Sequence, residues 1–436
     1  MVINHQRPIA VDLFAGAGGM TLGFEQAGFD VLAAVEFDPI HACVHEYNFP
    51  FWTTICRSVT AIAGAEIRTR SAIGDRDIDV VFGGPPCQGF SLMGKRNIDD
   101  ERNSLIDRFV SLVLELQPKF FVMENVRGIT IGKASKVLER AILRFQQQGY
   151  QVRENYQILN AADYGVPQNR RRLFLIGSRC GLPLPNYPQP TTQPPQTKSQ
   201  YYPKTQRSLP PTPNVHQAIQ DIPEATQYPE LASQDWVVAT YGKPSAYGSR
   251  LRHLTSASDD YGYPREYDSQ LLTCSRLTKH TPQTIKRFAA TSPGKSDRVS
   301  HFYRLELEGL CTTLRAGTAS NRGAHTSPRP IHPTVPRCIT VREAARLHSY
   351  PDWFRFHATK WHGFRQIGNS VPPLLAKAVA REIIRALEIA PTRPQQRYGL
   401  VHTELLEFKM TQAVEYQGLD HSPISGRNIC RAIATH

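Results

Sequence analysis

Short apolar runs alternate with longer amphipathic stretches over the first 180 residues of the chain. The apolar runs predict buried strands at Ile9–Phe14, Val31–Val35, Asp77–Phe82, Lys119–Met123 and Arg171–Ile176. The helical spacing of apolar residues predicts helices ending near Gln26 and covering Ser104–Gln117 and Lys133–Gln148. This alternation favours an α/β fold with a doubly wound, mostly parallel sheet and helices on both faces.

The regular alternation stops near residue 180. The stretch Gly181–Pro213 contains ten prolines, which is typical of a linker or an extended surface segment. Residues 214–335 are turn-rich, and order returns at Cys338–Leu347, where Thr340 and Glu343 have the spacing of a capping box. A last helix is predicted at Pro373–Leu387.

Three units follow from these changes in pattern. We predict a large α/β domain from residues 1–180 and 365–390, and a second, smaller, irregular domain at 181–364. Residues 391–436 form a carboxyl-terminal tail to which the sequence assigns no role.

The charge of the chain is strongly basic and unevenly spread. Lys and Arg number 51 against 38 Asp and Glu, a formal net charge of +13. Between Gln270 and Arg346 there are 13 Lys and Arg but only 4 Asp and Glu. We expect this stretch to form a surface that follows a polyanionic backbone.

Other classes of protein fit the composition poorly. The eight cysteines are scattered without a Cys-x-x-Cys pair, which argues against a zinc site or a compact disulfide framework. The amino terminus lacks the apolar region of a signal peptide, and no apolar run is long enough to span a bilayer. We expect a protein of the cytoplasm with reduced thiols and no metal.

The sequence places a thiol just beyond a predicted strand. Cys87 follows the apolar run Ile78–Phe82 and the dipeptide Pro85-Pro86, with a glycine on either side. Prolines fix the backbone and end a strand, and ligands of open α/β sheets bind beyond the carboxyl ends of the strands. A buried, inert thiol is the alternative, but it would not require so rigid a turn.

A glycine-rich turn after the first predicted strand indicates a nucleotide-like ligand. The turn Ala15–Gly19 lets the backbone approach a ligand closely, and Glu36 lies 20 residues after Gly16, where an acidic residue typically meets ribose hydroxyls. The pattern departs from Gly-x-Gly-x-x-Gly. An adenosine-type ligand without a pyrophosphate, such as S-adenosylmethionine, therefore suits it better than NAD.

Two further sets of charged residues are expected in the same crevice. Glu124 ends a predicted strand, and Gln168–Arg172 precedes another. Each has an ordinary alternative, since a carboxylate at a helix start or a run of arginines is often a solvated surface. The guanidinium fork of arginine would suit a phosphate or a base carbonyl.

Taken in order, these segments resemble the C5-cytosine DNA methyltransferase family, in its compact prokaryotic form. The resemblance covers roughly residues 8–388 and rests on Asp12–Gly19, Gly84–Ser91, Glu124–Val126, Gln168–Arg172, Arg342–Leu347 and Gln366–Pro373. It implies a catalytic domain that binds S-adenosylmethionine, in the larger unit, and a target-recognition domain in the smaller one. The partner it implies is double-stranded DNA.

The resemblance also implies roles for individual residues. Catalysis would use Cys87, which adds to C6 of a flipped cytosine, together with Glu124, Arg170 and Arg172. The cofactor would be held by Phe14, Ala15, Gly16, Gly18, Gly19, Glu36, Phe37, Ser58, Pro86, Asn369 and Ser370. Contacts with DNA would come from Gln88, Ser91, Gln168, Thr313 and Arg315. Ser58 stands where the family usually has an aspartate near the adenine.

The sequence leaves several alternatives open. The tRNA-methylating branch shares these motifs but typically has Gln-Pro-Phe-Thr where this chain has Gln88–Ser91. A DNA-binding module that has lost catalysis would not need to keep Cys87 and Glu124. The enzyme could be solitary or could act beside a separate restriction endonuclease, and DNA binding would associate it with the nucleoid.

Overall fold

The computed structural model describes residues 7–86, 103–153, 155–195, 209–317 and 329–424. The first part of the chain alternates strands and helices in the order β1 (Ile9–Leu13), α1 (Gly19–Ala27), β2 (Asp30–Glu36), α2 (Pro39–Asn48), β3 (Thr53–Cys56), α3 (Gly64–Arg70), β4 (Val80–Gly83), α4 (Asn103–Leu116), β5 (Phe120–Val126), α5 (Ser135–Gln147), β6 (Tyr150–Val152), β7 (Gln157–Asn160) and β8 (Arg171–Arg179).

These strands form one sheet in the order β3-β2-β1-β4-β5-β8-β6, with β7 also paired to β8. The strands from β3 to β5 are parallel, whereas β8 runs antiparallel to β5. The expected mostly parallel, doubly wound sheet is confirmed. Several strand ends differ from the prediction; for example, β5 continues past Glu124 to Val126, β4 begins only at Val80, and β8 extends to Arg179.

The two faces of the sheet pack against different helices. Alternate strand residues such as Val11 and Phe121 join α3, α4 and α5 in one apolar cluster. Their neighbours Ala10 and Val122 face the other way and join α1 and α11 (Pro373–Leu387) in a second cluster. This alternation follows from the two-residue period of a strand.

The rest of the chain forms short elements. They are α6 (Val215–Ile219), β9 (Val237–Val238), α7 (Ala246–Leu251), β10 (Arg265–Glu266), β11 (Leu271–Leu272), α8 (Pro282–Ala290), α9 (Val341–Leu347), α10 (Lys360–Asn369), β12 (Tyr398–Gly399) and α12 (Met410–Tyr416). The predicted capping box is present at α9, where the Thr340 hydroxyl accepts from the Glu343 amide and the Glu343 carboxylate accepts from the Thr340 amide.

The proline-rich stretch is anchored to the large domain over its described part. Tyr187 is buried and donates its hydroxyl proton to the Phe174 carbonyl on β8 at 2.8 Å. The amides of Thr191 and Thr192 both donate to the Asp163 carbonyl. Residues 181–195 are therefore extended, as expected, but they pack on the sheet domain. The division of the chain at residues 180 and 365 stays a prediction.

The described part of the tail, up to residue 424, closes over α2. Leu405, Leu406 and Ala413 are buried in a third cluster, which also contains residues of α2 and of the irregular region. The Tyr416 hydroxyl donates to the Glu46 carboxylate at 2.7 Å. The tail is thus part of the packed protein, which its polar composition did not indicate.

A buried ion pair joins α1 to the irregular region. The Arg265 guanidinium donates two hydrogen bonds to the Glu25 carboxylate, at 2.7 and 2.8 Å, and both side chains are almost fully buried. The guanidinium also lies over the rings of Phe51 and Trp353 at 4.7 and 4.6 Å. Removing one partner of such a pair leaves an uncompensated buried charge.

We predict that Glu25→Gln lowers the free energy of unfolding by about 3–5 kcal/mol, measured by denaturant unfolding. The matched control is Glu66→Gln on α3, which removes a partly exposed pair with Arg70 at 3.1 Å and should cost less than about 1 kcal/mol. Equal losses from the two variants would contradict a stabilising role for the buried pair.

Candidate active site

The predicted site residues converge on one edge of the sheet. The carboxyl ends of β1, β2, β4 and β5 meet there because these strands are parallel. Strand β8 is antiparallel, so it begins at the same edge. Side chains from five strands therefore surround a single crevice.

The three glycines of the turn after β1 have different roles. Gly16 has φ +57°, and a Cβ placed on it would meet no atom within 4 Å. At Gly18 such a Cβ would lie 2.3 Å from the Phe49 ring, and at Gly19 it would lie 2.5 Å from the Val371 carbonyl oxygen. Gly18 and Gly19 are thus required by packing, whereas Gly16 borders open space on the crevice side.

Glu36 closes the turn from β2. One carboxylate oxygen accepts from the Gly16 amide at 2.7 Å, and the other accepts from the Asp38 amide at 2.9 Å. Burial raises the pKa of Glu36, and the nearby His41 opposes this rise. The next residue, Phe37, is 41% exposed, so an apolar ring lies open beside a fixed carboxylate.

The remaining predicted cofactor residues lie around the turn. Ser370 follows α10, and its Cβ would be 2.9 Å from a Cβ placed on Gly19, so this late segment does return to the turn. Phe14 is half-buried with φ +65°. Ser58 uses its hydroxyl locally, accepting from the Thr60 amide at 3.3 Å.

Glu124 and Arg172 form a buried pair across β5 and β8. The Arg172 Nε lies 2.8 Å from Glu124 Oε1, and the two side chains are 13% and 11% exposed. Glu124 faces Phe174, which puts Arg172 in the diagonal position on the same face. Burial raises the pKa of Glu124, while the positive charge of Arg172 counteracts it.

The chain just after β4 passes close to Glu124. A Cβ on Gly84 would lie 2.8 Å from Glu124 Oε2, so only glycine allows this approach. The Asn125 side-chain amide donates to the Pro85 carbonyl at 3.1 Å and fixes the proline turn. Cys87, Gln88 and Ser91 lie outside the described residues.

The described cysteines differ from a reactive thiol. Five of the six are buried, Cys180 being the exposed one. Burial raises the pKa of Cys43, Cys56 and Cys338 to about 12. These thiols are therefore protonated and inert at neutral pH.

The guanidinium of Arg170 is engaged by carbonyls inside the protein. Its side chain is fully buried, and it donates to the carbonyls of Leu314, Gly368 and Ser370 at 2.7 to 2.8 Å. These hydrogen bonds give Arg170 a positioning role, and its direct role in catalysis stays a prediction. The sequence alone could not predict these hydrogen bonds, because the three acceptor carbonyls lie far along the chain from Arg170.

Gln168 is also held by partners inside the protein, and its contact with DNA stays a prediction. It is fully buried, accepts from the Leu314 amide at 3.1 Å and donates to the Leu347 carbonyl. Its amide nitrogen is 2.9 Å from Nδ1 of His348, a histidine that the sequence did not single out. Burial lowers the pKa of His348 well below its ordinary value, which keeps the ring neutral.

The segment that contains Thr313 and Arg315 is hydrogen-bonded to the residues just before β8. Residues 167–169 exchange backbone hydrogen bonds with Cys311, and the Thr313 hydroxyl donates to the Asn169 carbonyl at 2.6 Å. On the other side, a Cβ on Gly368 would lie 2.2 Å from the Ala316 amide. Arg315 is exposed next to this junction, within the region of the crevice.

The described part of the chain contains neither a metal-binding cluster nor a membrane-spanning helix. Within it, no three or more His, Cys, Asp or Glu side chains are grouped so as to hold a metal ion. None of its helices has the length and apolar character needed to cross a membrane.

Comparisons with known proteins agree with this geometry. The family model described as C-5 cytosine-specific DNA methylase matches residues 9–385. The chain is 56% identical to the Type II methyltransferase M.XorII of Xanthomonas oryzae, over 97% of this chain and 95% of that protein. It is 34% identical to the Type II methyltransferase M.DdeI of Desulfomicrobium norvegicum, over 86% and 88% of the two chains.

Solved structures show the same fold. A crystal structure of a putative DNA modification methyltransferase encoded within an E. coli prophage has 33% identity and a TM-score of 0.68. The match covers 87% of this chain and 99% of that one. The S. pombe Dnmt2 methyltransferase, at 15% identity and a TM-score of 0.51 over 88% of this chain and 99% of that one, is similar in fold alone.

We predict that Arg170→Met strongly destabilises the protein, because it leaves the buried carbonyls of Leu314 and Gly368 without their donor, at about 1–3 kcal/mol each. The neighbouring Arg171 is exposed, and Arg171→Met should change the free energy of unfolding by less than about 0.5 kcal/mol. Thermal unfolding of the two variants makes the comparison. Similar midpoints would show that the Arg170 hydrogen bonds contribute little.

Proposed function

The chain belongs to the C-5 cytosine-specific DNA methylase family, and we propose that it methylates C5 of cytosine in duplex DNA at a specific sequence. The relatives named Type II methyltransferase support a modification enzyme of a restriction-modification system. A separate restriction endonuclease would then act on the same target.

One observation carries the assignment of the site. The Glu124–Arg172 pair lies buried at the carboxyl edge of the sheet, with Glu124 against Gly84. Gly84 is three residues before Cys87 along a turn that Asn125 holds in place. We propose that the Cys87 thiol acts beside this carboxyl and guanidinium pair, since a cytosine offers each of the three groups a matching atom.

The turn after β1 fits S-adenosylmethionine. Gly16 borders open space, Glu36 presents a fixed carboxylate beside it, and Phe37 exposes a ring. We propose that Glu36 accepts from the ribose hydroxyls and that Phe37 packs on the adenine. Phe14, Ala15, Pro86, Asn369 and Ser370 would complete the walls, and Ser58 would meet the adenine where an aspartate is usual. When bound, this cofactor supplies a methyl group on a positively charged sulfur.

The residues of the chain make C5 of cytosine reactive. We propose that the Cys87 thiolate adds to C6, which places electron density on C5. Glu124, whose pKa is raised by burial, donates a hydrogen bond to N3 and favours this density, while Arg172 holds O2. After C5 accepts the methyl group, loss of its proton and elimination of Cys87 restore the aromatic ring. The base must leave the duplex stack for this chemistry.

The same evidence weighs against the two alternatives. The proteins at 56% and 34% identity are both named as Type II methyltransferases, and the similar E. coli structure is described as a DNA modification methyltransferase. An RNA substrate has no comparable support. A non-catalytic module would not need the buried Glu124–Arg172 pair, whose desolvation is costly.

The proposal is tested by expressing the chain in a methylation-free bacterial host and mapping 5-methylcytosine across the genome. We expect methylation at one short recurring sequence, and none with Cys87→Ala, because none of the six described cysteines is both exposed and at the carboxyl edge of the sheet. Methylation that persists in Cys87→Ala would overturn the covalent mechanism. An unmodified genome with soluble, cofactor-binding protein would overturn the DNA substrate.

A second prediction concerns Glu124. Glu124→Gln keeps the shape of the side chain but removes its acidic proton, so we expect the single-turnover rate to fall about 10²–10⁴-fold with DNA affinity nearly unchanged. The control is Asp79→Asn, which breaks a pair with Lys119 at 2.8 Å at the opposite edge of the sheet and should leave the rate unchanged. A Glu124→Gln enzyme as fast as this control would assign N3 to another group.

A further inference from the structure

Several of the Lys and Arg residues between residues 270 and 346 are bound to other groups of the protein. Five of these 13 cations are held by internal partners. Arg304 donates to backbone carbonyls, including those of Phe288 and Thr291. The other four pair with carboxylates: Arg287 with Asp297, Arg337 with Glu224 and Glu343, Arg342 with Asp352, and Arg346 with Asp221 and Asp352. The expectation that this whole stretch forms a phosphate-tracking surface is therefore too broad.

Among the cations that remain, several gather at the start of α10. Arg276, Lys279 and Arg329 all lie close enough to Lys360 to act on its charge. We call these four residues the basic patch. Lys279 is exposed and the other three are partly exposed, so the patch is accessible from solvent.

The side chains of the patch are held in place. Lys360 Nζ donates at 2.6 Å to the carbonyl of Leu277, the residue that follows Arg276. The Arg329 guanidinium lies 4.9 Å from the centre of the Phe364 ring on the same helix as Lys360. Two of the four cations are thus fixed by contacts that leave their charge unneutralised.

The patch is electrostatically unfavourable without an anion. Partial burial and the neighbouring cations lower the pKa of Lys360 to about 8. Within the described ranges, none of the four residues forms an ion pair with a carboxylate, and Arg329 Nε is buried without a hydrogen-bond partner. A bound anion would relieve the repulsion and supply the missing acceptor.

We propose that the basic patch binds phosphates of the DNA backbone next to the target site. Helix α10 runs from Lys360 to Asn369, a distance of about 15 Å, and its far end contacts the Arg315–Ala316 backbone at the crevice. A duplex that presents its cytosine to Glu124 would extend over such a distance. The inference rests on the proposed DNA substrate and adds where the backbone is held.

The test measures affinity for a short random-sequence duplex at several salt concentrations, with wild type and with Arg276→Gln/Lys279→Gln. Neither residue has a structural partner among the described residues, so the variant should fold. Each lost phosphate contact should reduce the slope of log affinity against log salt by about 1. The rate at saturating DNA should stay unchanged.

Two further variants sharpen the test. Arg179→Gln removes an exposed cation at the end of β8, at the opposite edge of the sheet, and should leave the slope unchanged. Arg276→Lys/Lys279→Arg keeps both charges and should retain the wild-type slope, whereas a base-specific contact would not survive this exchange.

The outcomes separate the two proposals. A smaller slope in the Gln variant alone supports the patch, even if the genome map shows no methylation and the proposed function fails. An unchanged slope overturns the patch, whatever the enzyme methylates. A loss of affinity confined to the methylated target sequence would also overturn it, since phosphate contacts are indifferent to sequence.

Discussion

The reversed direction of β8 is the constraint on which the rest of the site depends. If β8 were parallel to β5, its first residues would lie at the opposite edge of the sheet. Because it is antiparallel, Arg172 enters at the carboxyl edge and lies diagonally across from Glu124. The chain that precedes β8 is brought to the same place, and with it the junction formed by residues 167–170.

That junction connects the segment that carries Arg315 to the strand that carries Arg172. Arg170 and Gln168 hydrogen-bond to the Leu314 backbone. Arg170 also hydrogen-bonds to the segment 368–370 beside the glycine turn. A displacement of the segment that carries Arg315 would therefore be felt at both the glycine turn and the Glu124–Arg172 pair. Such coupling needs no mobile element, since packed and hydrogen-bonded contacts transmit small shifts directly.

The sequence predicted the secondary structure, which local patterns determine. It did not predict the hydrogen bonds and ion pairs between residues that are far apart in the chain. The strands, the capping box at Thr340 and the last helix follow from periodicity and end signals. The buried hydrogen bonds of Gln168 and Arg170 could not be read from the sequence, because their partners lie about 145–200 residues further along. The basic stretch was overestimated for a similar reason, since Asp221 and Asp352, which neutralise Arg346, lie outside it. The roles of Cys87 and of the cofactor residues stay predictions.

The pairing of α1 with α11 has a consequence for how the protein is made. Helix α11 shares an apolar cluster with Phe24 of α1 and with Phe82 and Val122 on one face of the sheet, yet it is synthesised roughly 200 residues after β8. At ribosomal speeds that interval is about 10–40 s. During that interval the apolar residues of the sheet that later contact α11 lack this part of their packing, and transiently exposed apolar surface of this kind favours aggregation.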